Sequence, residues 1–464
     1  MKVRLRISGT QHRALKAHLF PGDGLEAAAL LLCGHRQGVS CTILTAAECV
    51  PIPYAACTAR RPDLLSWKTE AIVPALERAA KRGYAVVKVH SHPTAFESFS
   101  SLDDDSDSRL FPSIYGWVDV APHASAVMLP DGRMFGRVVD EKARFNELKS
   151  ISIADHELHF WNNAHHDLSE AFHAKNAQAF GSGTVTKLRE LTIAVIGCSG
   201  TGSLVAEQLV RLGVGRIVLV DPDIVKEKNL NRILNATLAD AKANRPKVEV
   251  LKRAFEGFGL GTVVEAHHSS LDSPVVVRAV AECDVIFGCM DTIEGRHVLN
   301  RLATFYVIPY FDLGVRLIAD GKGGVSHVCG TVNYLQPGGS SLLSRKLYTL
   351  DQLQAEALRR TNPEEYASRL RDGYIAGVAE ERPAVISVNM QVASLGVNEF
   401  LARLHPYRQY ENSDFAIHRV SLEQGEFFHE PEGDPCKVLL RWVGRGDIIP
   451  LLDMPSFSES RCSE

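Results

Sequence analysis

The stretch LTIAVIGCSGTGSLVAEQLVRLGVGRIVLVD, residues 191–221, decides how most of this chain folds. It opens as a short unbroken apolar run, passes through a glycine-rich turn into SLVAEQLVRLG, and returns to a second apolar run that ends in Asp221. Unbroken apolar runs of strand length belong to strands covered on both faces, and a helix-like segment between two of them predicts parallel pairing. DVIFGCMD (284–291) and VIPYFDLG (307–314) continue the alternation, so residues 186–464 read as a doubly wound α/β domain. About residues 336–384 the pattern breaks. QPGGSSLLSRK reads as a loop and TLDQLQAEALRRTNPEEYASRLRDG as a charged helical excursion, after which RPAVISVNMQVASLGVNEFLARLHPYR predicts a long apolar-faced helix opening at Pro383.

Working outward, 464 residues exceed one ordinary core and predict two or three domains. A net charge of −4 with 23% charged residues carries no basic footprint for nucleic acid. The opening MKVRLRISGTQHRALKAHLF lacks the apolar core of a leader, and runs such as AAALLLC are too short to cross a bilayer, so a cytoplasmic protein with neither nucleic-acid nor membrane partners is expected. The ten cysteines form no C-x-x-C pair, which predicts reduced thiols. Cys33, Cys41, Cys49 and Cys57, eight residues apart, fit small buried side chains on successive strands.

Residues 1–145 read as an α+β unit. Strand-like runs (LEAAALLLCG, SCTILTAAECV, AVVKVHSH) surround one helix, SWKTEAIVPALERAAKRG, with Ser66 expected as its cap, Glu70 in its early turns and Gly83 closing it. The Pro-Asp-Gly of SAVMLPDGRMFGRVV predicts a hairpin. Residues 146–185, polar and rich in histidine, read as a helical connecting arm.

At the end of AVVKVHSH, His90 and His92 project from the same side of a strand, close enough to share one ion. Two imidazoles and a carboxylate on zinc leave a position open for water, the arrangement of hydrolytic sites, and Asp103, one turn into a helix begun near Ser100, is the natural third ligand. Asp104, Asp105 and Asp107 read as a solvated helix start. A general base is still required, from a carboxylate on a neighbouring strand. His90-x-His92-Pro93 followed by Ser100-x-x-Asp103 resembles the JAMM motif of the JAB/MPN metalloproteases, which cleave ubiquitin and ubiquitin-like proteins at or after their C-termini. That resemblance implies zinc on His90, His92 and Asp103, Glu26 as the base with Glu48 the weaker candidate, and Ser100 stabilising the oxyanion.

The glycine turn could cradle phosphates at a helix N-terminus. As a dinucleotide fingerprint it is imperfect, because Ser199 stands where G-x-G-x-x-G needs glycine. Downstream, Asp221, Asp223, Asn229, Arg232, Lys247 and Asp291 suit a triphosphate with magnesium better than NAD. The combination resembles the Rossmann-like adenylation domain of the ThiF, MoeB and ubiquitin-activating-enzyme superfamily. The resemblance implies that Gly197, Gly200 and Gly202 approach the phosphates of ATP, Asp221 binds ribose, Asp223 lines the site, Asn229, Arg232 and Lys247 hold phosphates, and Asp291 coordinates Mg2+. It further implies adenylation of a protein's C-terminal carboxylate, and a homodimer.

Three departures from that pattern bear on the expectation. The paired C-x-x-C motifs are absent, no cysteine stands between Cys329 and Cys436 to relay a thioester, and only Lys175 occupies the place of a cross-dimer arginine. The expected function is processing and activation of a ubiquitin-like protein, with hand-over to a conjugating-enzyme-like partner. Sulfur-carrier activation with a sulfurtransferase partner is the alternative, and a catalytically dead scaffold and an NAD-dependent oxidoreductase are the more distant ones.

Overall fold

The computed structural model describes residues 2–38, 41–119, 122–162, 171–320, 322–371 and 383–458. It divides into two units. The first takes Met1–Ala164, Thr304–Val307 and Arg441–Ser460, and the second His165–Ala303 and Ile308–Leu440, with the last residues Arg461–Glu464.

The first unit runs β1 (Lys2–Ser8), α1 (Gly9–Leu19), β2 (Ala28–Gln37), β3 (Cys41–Pro51), β4 (Cys57–Arg61), β5 (Leu64–Trp67), α2 (Val73–Arg82), β6 (Ala85–Ser91), α3 (Ser101–Trp117), β7 (His123–Met128), β8 (Met134–Val139), β9 (Phe145–Ala154) and β10 (Leu158–Asn162). The main sheet has the order β1-β3-β2-β6-β7-β8-β9-β10, and β9 also pairs with β1, so the sheet closes on itself. Both faces are dry. Along β6, Ala85, Val87 and Val89 join the core under α1, while Val86 joins a second core with α2 and α3. Period-two alternation therefore turns Lys88 and His90 toward α3.

Several expectations are corrected here. Ser66 is a residue of β5, and α2 starts only at Val73 with Pro74 in its first turn, so the cap expected at Ser66 is not made; the fixed φ of proline starts the helix instead. Gly83 does close α2, at φ 64°. The Pro-Asp-Gly hairpin joins β7 to β8, with Gly132 at φ 98°. The arm is helical only in its later part: β9 and β10 are strands of the first sheet, and residues 163–170 lie outside the described residues. The alternation in FNELKSISIA was masked by its charged first half.

The C-terminal end is a further correction, since Arg441–Ser460 was expected in the α/β domain yet belongs to the first unit. Gly444 offers its carbonyl to the Gly34 amide at 3.1 Å and to the Thr45 hydroxyl at 2.9 Å. A Cβ on Gly34 would stand 2.2 Å from the Arg445 carbonyl oxygen, so glycine is what admits this segment.

The second unit runs α4 (His173–Glu190), β11 (Thr192–Ile196), α5 (Gly200–Arg211), β12 (Arg216–Val220), α6 (Leu238–Lys242), α7 (Lys247–Gly257), β13 (Val263–His267), α8 (Pro274–Ala281), β14 (Val285–Gly288), α9 (Ile293–Tyr306), β15 (Tyr310–Ala319), β16 (Val325–Leu335), α10 (Leu350–Thr361), α11 (Pro363–Arg371), α12 (Ile386–Leu404), β17 (Ile417–Ser421) and β18 (Glu426–Glu430). The order β13-β12-β11-β14-β15-β16-β17-β18 is parallel through β15 and antiparallel beyond it. Strand order reverses between β11 and β14, the crevice where open α/β sheets bind ligands beyond the carboxyl ends of their strands. Helix α12 packs on α5 and on β15 and β16. No described helix is long and apolar enough to cross a membrane.

Candidate functional site

In the first unit, β6 and α3 bring His90, His92 and Asp103 together. The Nε2 atoms of the two imidazoles lie 3.1 Å apart, His90 Nε2 is 2.8 Å from Asp103 Oδ1, and His92 Nε2 is 3.4 Å from Asp103 Oδ2. All three residues are buried, and among the described residues they form the one His/Cys/Asp/Glu group compact enough to hold a metal ion. The surroundings fix which atoms face inward. His92 Nδ1 meets the Phe96 carbonyl at 2.8 Å, which leaves Nε2 as the free lone pair.

Asp103 Oδ2 accepts from the Ser100 amide at 2.7 Å and from the Ser100 hydroxyl at 2.8 Å, and the Asp103 amide donates back to Ser100 Oγ at 3.2 Å. Ser100 is therefore the N-cap of α3 and Asp103 closes a capping box. The hydroxyl that resemblance assigns to the oxyanion is engaged here in holding the third ligand.

Glu26 sits just before β2. The β2–β6 register pairs Ala28 with His90, and Ala27 bonds to Ser91 at 2.9 Å and 3.0 Å, so continuation of the register sets Glu26 opposite His92. Burial raises its carboxyl to about 7, against the pull of His92 and with the push of Asp103. Its backbone is pinned by Arg61, whose carbonyl takes the Glu26 amide at 3.0 Å, and by Arg60, whose Nε donates to the Glu26 carbonyl at 2.9 Å. Glu48, the weaker candidate, is tied to Arg78 at 3.3 Å and to Arg82.

In the second unit the glycine turn joins β11 to α5. Gly197 has φ 87°, and a Cβ on Gly202 would fall 1.8 Å from the Gly197 carbonyl oxygen, so both positions require glycine. A Cβ on Gly200 would meet the Asn389 amide nitrogen at 2.2 Å and Arg232 Cδ at 3.1 Å, which puts both side chains at the N-terminal end of α5.

Asp221 braces the turn. It accepts the Cys198 amide at 2.7 Å and the Asp223 amide at 2.8 Å, and lies 3.4 Å from Lys247 Nζ, which also reaches Asp223 at 2.7 Å. Burial raises its carboxyl above the ordinary range, with Lys247 opposing. Asn229 is buried and holds the loop after β12 through the Lys226 amide at 3.0 Å. Asp291 stands exposed beyond the end of β14, next to the turn through the Cys289 amide, which donates to the Ile196 carbonyl at 2.8 Å. The carboxyl ends of β11, β12 and β14 thus gather a phosphate-sized turn, a buried lysine, an arginine and three acids.

A family model described as the ThiF family matches residues 173–432, more than half of the 464-residue chain. The chain belongs to the ThiF family. A second model, prokaryotic homologs of the JAB domain, matches residues 10–137 ahead of the ThiF unit. Ubiquitin-like modifier-activating enzyme 5 of Drosophila willistoni is 26% identical over 167 residues, covering 33% of this chain and 38% of that protein. Molybdopterin-synthase adenylyltransferase of Haemophilus influenzae is 30% identical over 139 residues, covering 30% and 56%. The match thus spans less than two thirds of these relatives. The crystal structure of E. coli MccB with MccA-N7isoASN is similar at 18% identity and TM-score 0.45, covering 58% of this chain and 75% of that one.

Within the ThiF unit, Cys198 and Cys289 adjoin the turn. Desolvation pushes both thiols well above the ordinary value, so neither is a ready thiolate. Two features escaped sequence reasoning. Asn389 reaches Gly200 because α12 folds back onto α5; an apolar-faced helix able to pack on the sheet was legible, and which of its residues meets the turn was not. Asp107, expected in a solvated helix start, is fully buried against Lys88 and Arg137. A lysine inside the apolar run AVVKVHSH was the available signal.

Proposed function

We propose that this chain processes the C-terminus of a ubiquitin-like protein with its first unit and adenylates it with its second. The observation that carries the reading is the cluster of His90, His92 and Asp103 facing Glu26, in a chain whose other unit is of the ThiF family. Zinc bonds of about 2.0–2.1 Å at tetrahedral angles separate ligand atoms by roughly 3.3 Å, and the 2.8–3.4 Å separations here fit that ion.

When bound, zinc supplies Lewis-acid polarisation of the scissile carbonyl. Glu26 takes the proton of the attacking water and returns it to the departing amine. Ser100 holds Asp103 in place. In the second unit Asp291 would hold magnesium, which supplies charge neutralisation when bound. Lys247, Arg232 and the amides of the glycine turn draw charge from the phosphates, and Asp221 is within the crevice for ribose. The substrate carboxylate attacks the α-phosphorus, the bond from that phosphorus to its bridging oxygen breaks, and pyrophosphate leaves.

The sulfur-carrier reading has two observations in its favour: near the turn Cys198 is buried and Cys289 half-buried, and no cysteine stands between Cys329 and Cys436, so the activated terminus would pass to an external acceptor. Mass spectrometry of a candidate partner, incubated with ATP, magnesium and either sulfide or an amine acceptor, separates the two. Pyrophosphate exchange that depends on the partner's free carboxylate and is lost in Asp291→Ala supports adenylation; absence of exchange with the parent chain removes it.

A further inference from the structure

Lys88 and Asp107 are buried charges outside the ligand set, and they join the two elements that carry the metal ligands. Lys88 is two residues before His90 on β6, and Asp107 is four residues after Asp103 on α3. Residues i and i+2 of a strand share a face at roughly 6.5–7 Å, and i and i+4 of a helix share a face at about 6 Å along the axis. The two spacings match. His90–Asp103 and Lys88–Asp107 are consequently two parallel rungs between the same strand and the same helix.

The second rung is buried. Asp107 is 0% exposed and Lys88 2%, and their side chains pair directly. Arg137, on β8, donates to Asp107 Oδ2 from Nε at 3.1 Å and from Nη2 at 2.7 Å, and also pairs with Asp104. Its guanidinium lies 3.9 Å from the centre of the Phe99 ring and 3.7 Å from that of Phe145. Phe99 precedes the capping Ser100, so the same arginine steadies the turn that presents Asp103. The buried Lys88 and Arg137 share the buried Asp107, and the half-exposed Asp104 supplies the second negative charge, which is how such charges are tolerated in the interior.

An apolar pair of similar volume would stabilise the fold as well or better, so the ionic rung calls for a reason beyond stability. We propose that Lys88, Asp107 and Arg137 are positioning residues of the metal centre: their ion pairs set the rotation and axial height of α3 on β6, and so the placement of Asp103 against His90 and His92. Apolar contact is non-directional, whereas an ion pair to a fixed strand constrains the roll and slide of α3. The proposal rests on the reading of those three residues as metal ligands.

The test is cobalt(II) titration of the full-length chain, read by its visible absorption. Parent protein should give the intense bands of a four-coordinate site, lost in His90→Ala. The paired variant Lys88→Met with Asp107→Leu should fold, judged by circular dichroism and melting in chelator, yet bind cobalt about 10- to 100-fold more weakly with weakened or shifted bands. Asp107→Asn, which keeps volume and an acceptor, covers the case in which the paired variant does not fold, and should show the same direction of change. Parent-like affinity and bands in a folded variant overturn the positioning role while leaving the metal reading intact. A parent chain that binds no cobalt overturns the metal reading, and the positioning role with it.

Discussion

Glu26 lies where a carboxylate is hard to ionise, and its elevation to about 7 follows chiefly from burial. Replacement by glutamine keeps size and removes the base. Glu26→Gln should therefore retain metal binding while peptide hydrolysis falls about 10²- to 10⁴-fold, as measured on a ubiquitin-like protein with a C-terminal extension. His123 shows the opposite use of burial. Its Nδ1 accepts the Val86 amide at 3.0 Å and its Nε2 meets the Val118 carbonyl at 3.1 Å, which demands the neutral ring, and burial lowers it to about 4. The unfolded chain takes up this proton near 6.5 and the folded chain does not. Its contribution is thus fully present above pH 6.5 and declines as pH falls toward about 4, by roughly 3 kcal/mol at the limit. NMR titration should find the His123 ring still neutral at pH 5; a midpoint near 6.5 would contradict the geometry.

At the scale of elements, the start of α3 and the turn before α5 carry most of the proposed function. The Ser100–Asp103 capping box starts a helix and aims a ligand at once. Ser100→Ala should cost about 1 kcal/mol of stability and weaken metal binding beyond what that loss implies, since Asp103 Oδ2 loses its hydroxyl partner; melting and metal titration of the one variant separate the two effects. The glycine turn is less forgiving. Any Cβ at residue 202 collides with the Gly197 carbonyl, so Gly202→Ala should cost about 1–3 kcal/mol and abolish detectable ATP binding by calorimetry. Both motifs were legible because local backbone chemistry dictates them: a serine three residues before an acid, glycine where φ is positive or atoms crowd. Helix α2 was legible at its end, through Gly83, and not at its start, because Ser66 was already committed to a strand pairing that no local pattern announces.

Across the whole molecule, a JAB-like unit and a ThiF unit share one chain, and the proposed function gives each its own chemistry. His90→Ala should abolish peptide hydrolysis and spare pyrophosphate exchange, and Asp291→Ala should do the reverse; loss of both activities in either variant would contradict separate sites. The order of apolar runs and glycines along residues 191–314 determined a parallel sheet, and the offsets among His90, His92, Ser100 and Asp103 determined a compact cluster able to hold an ion, because these are short-range patterns in which a strand's period of two and a helix's first turn dictate side-chain direction. Only the tertiary structure decided that the sheet of the first unit closes through β9, that residues 441–460 belong with that sheet, that Asn389 meets the glycine turn, and that Asp107 is buried against Lys88. Each depends on surfaces far apart in the chain excluding water together, and the free energy of such burial belongs to the assembled pair of surfaces rather than to either segment alone.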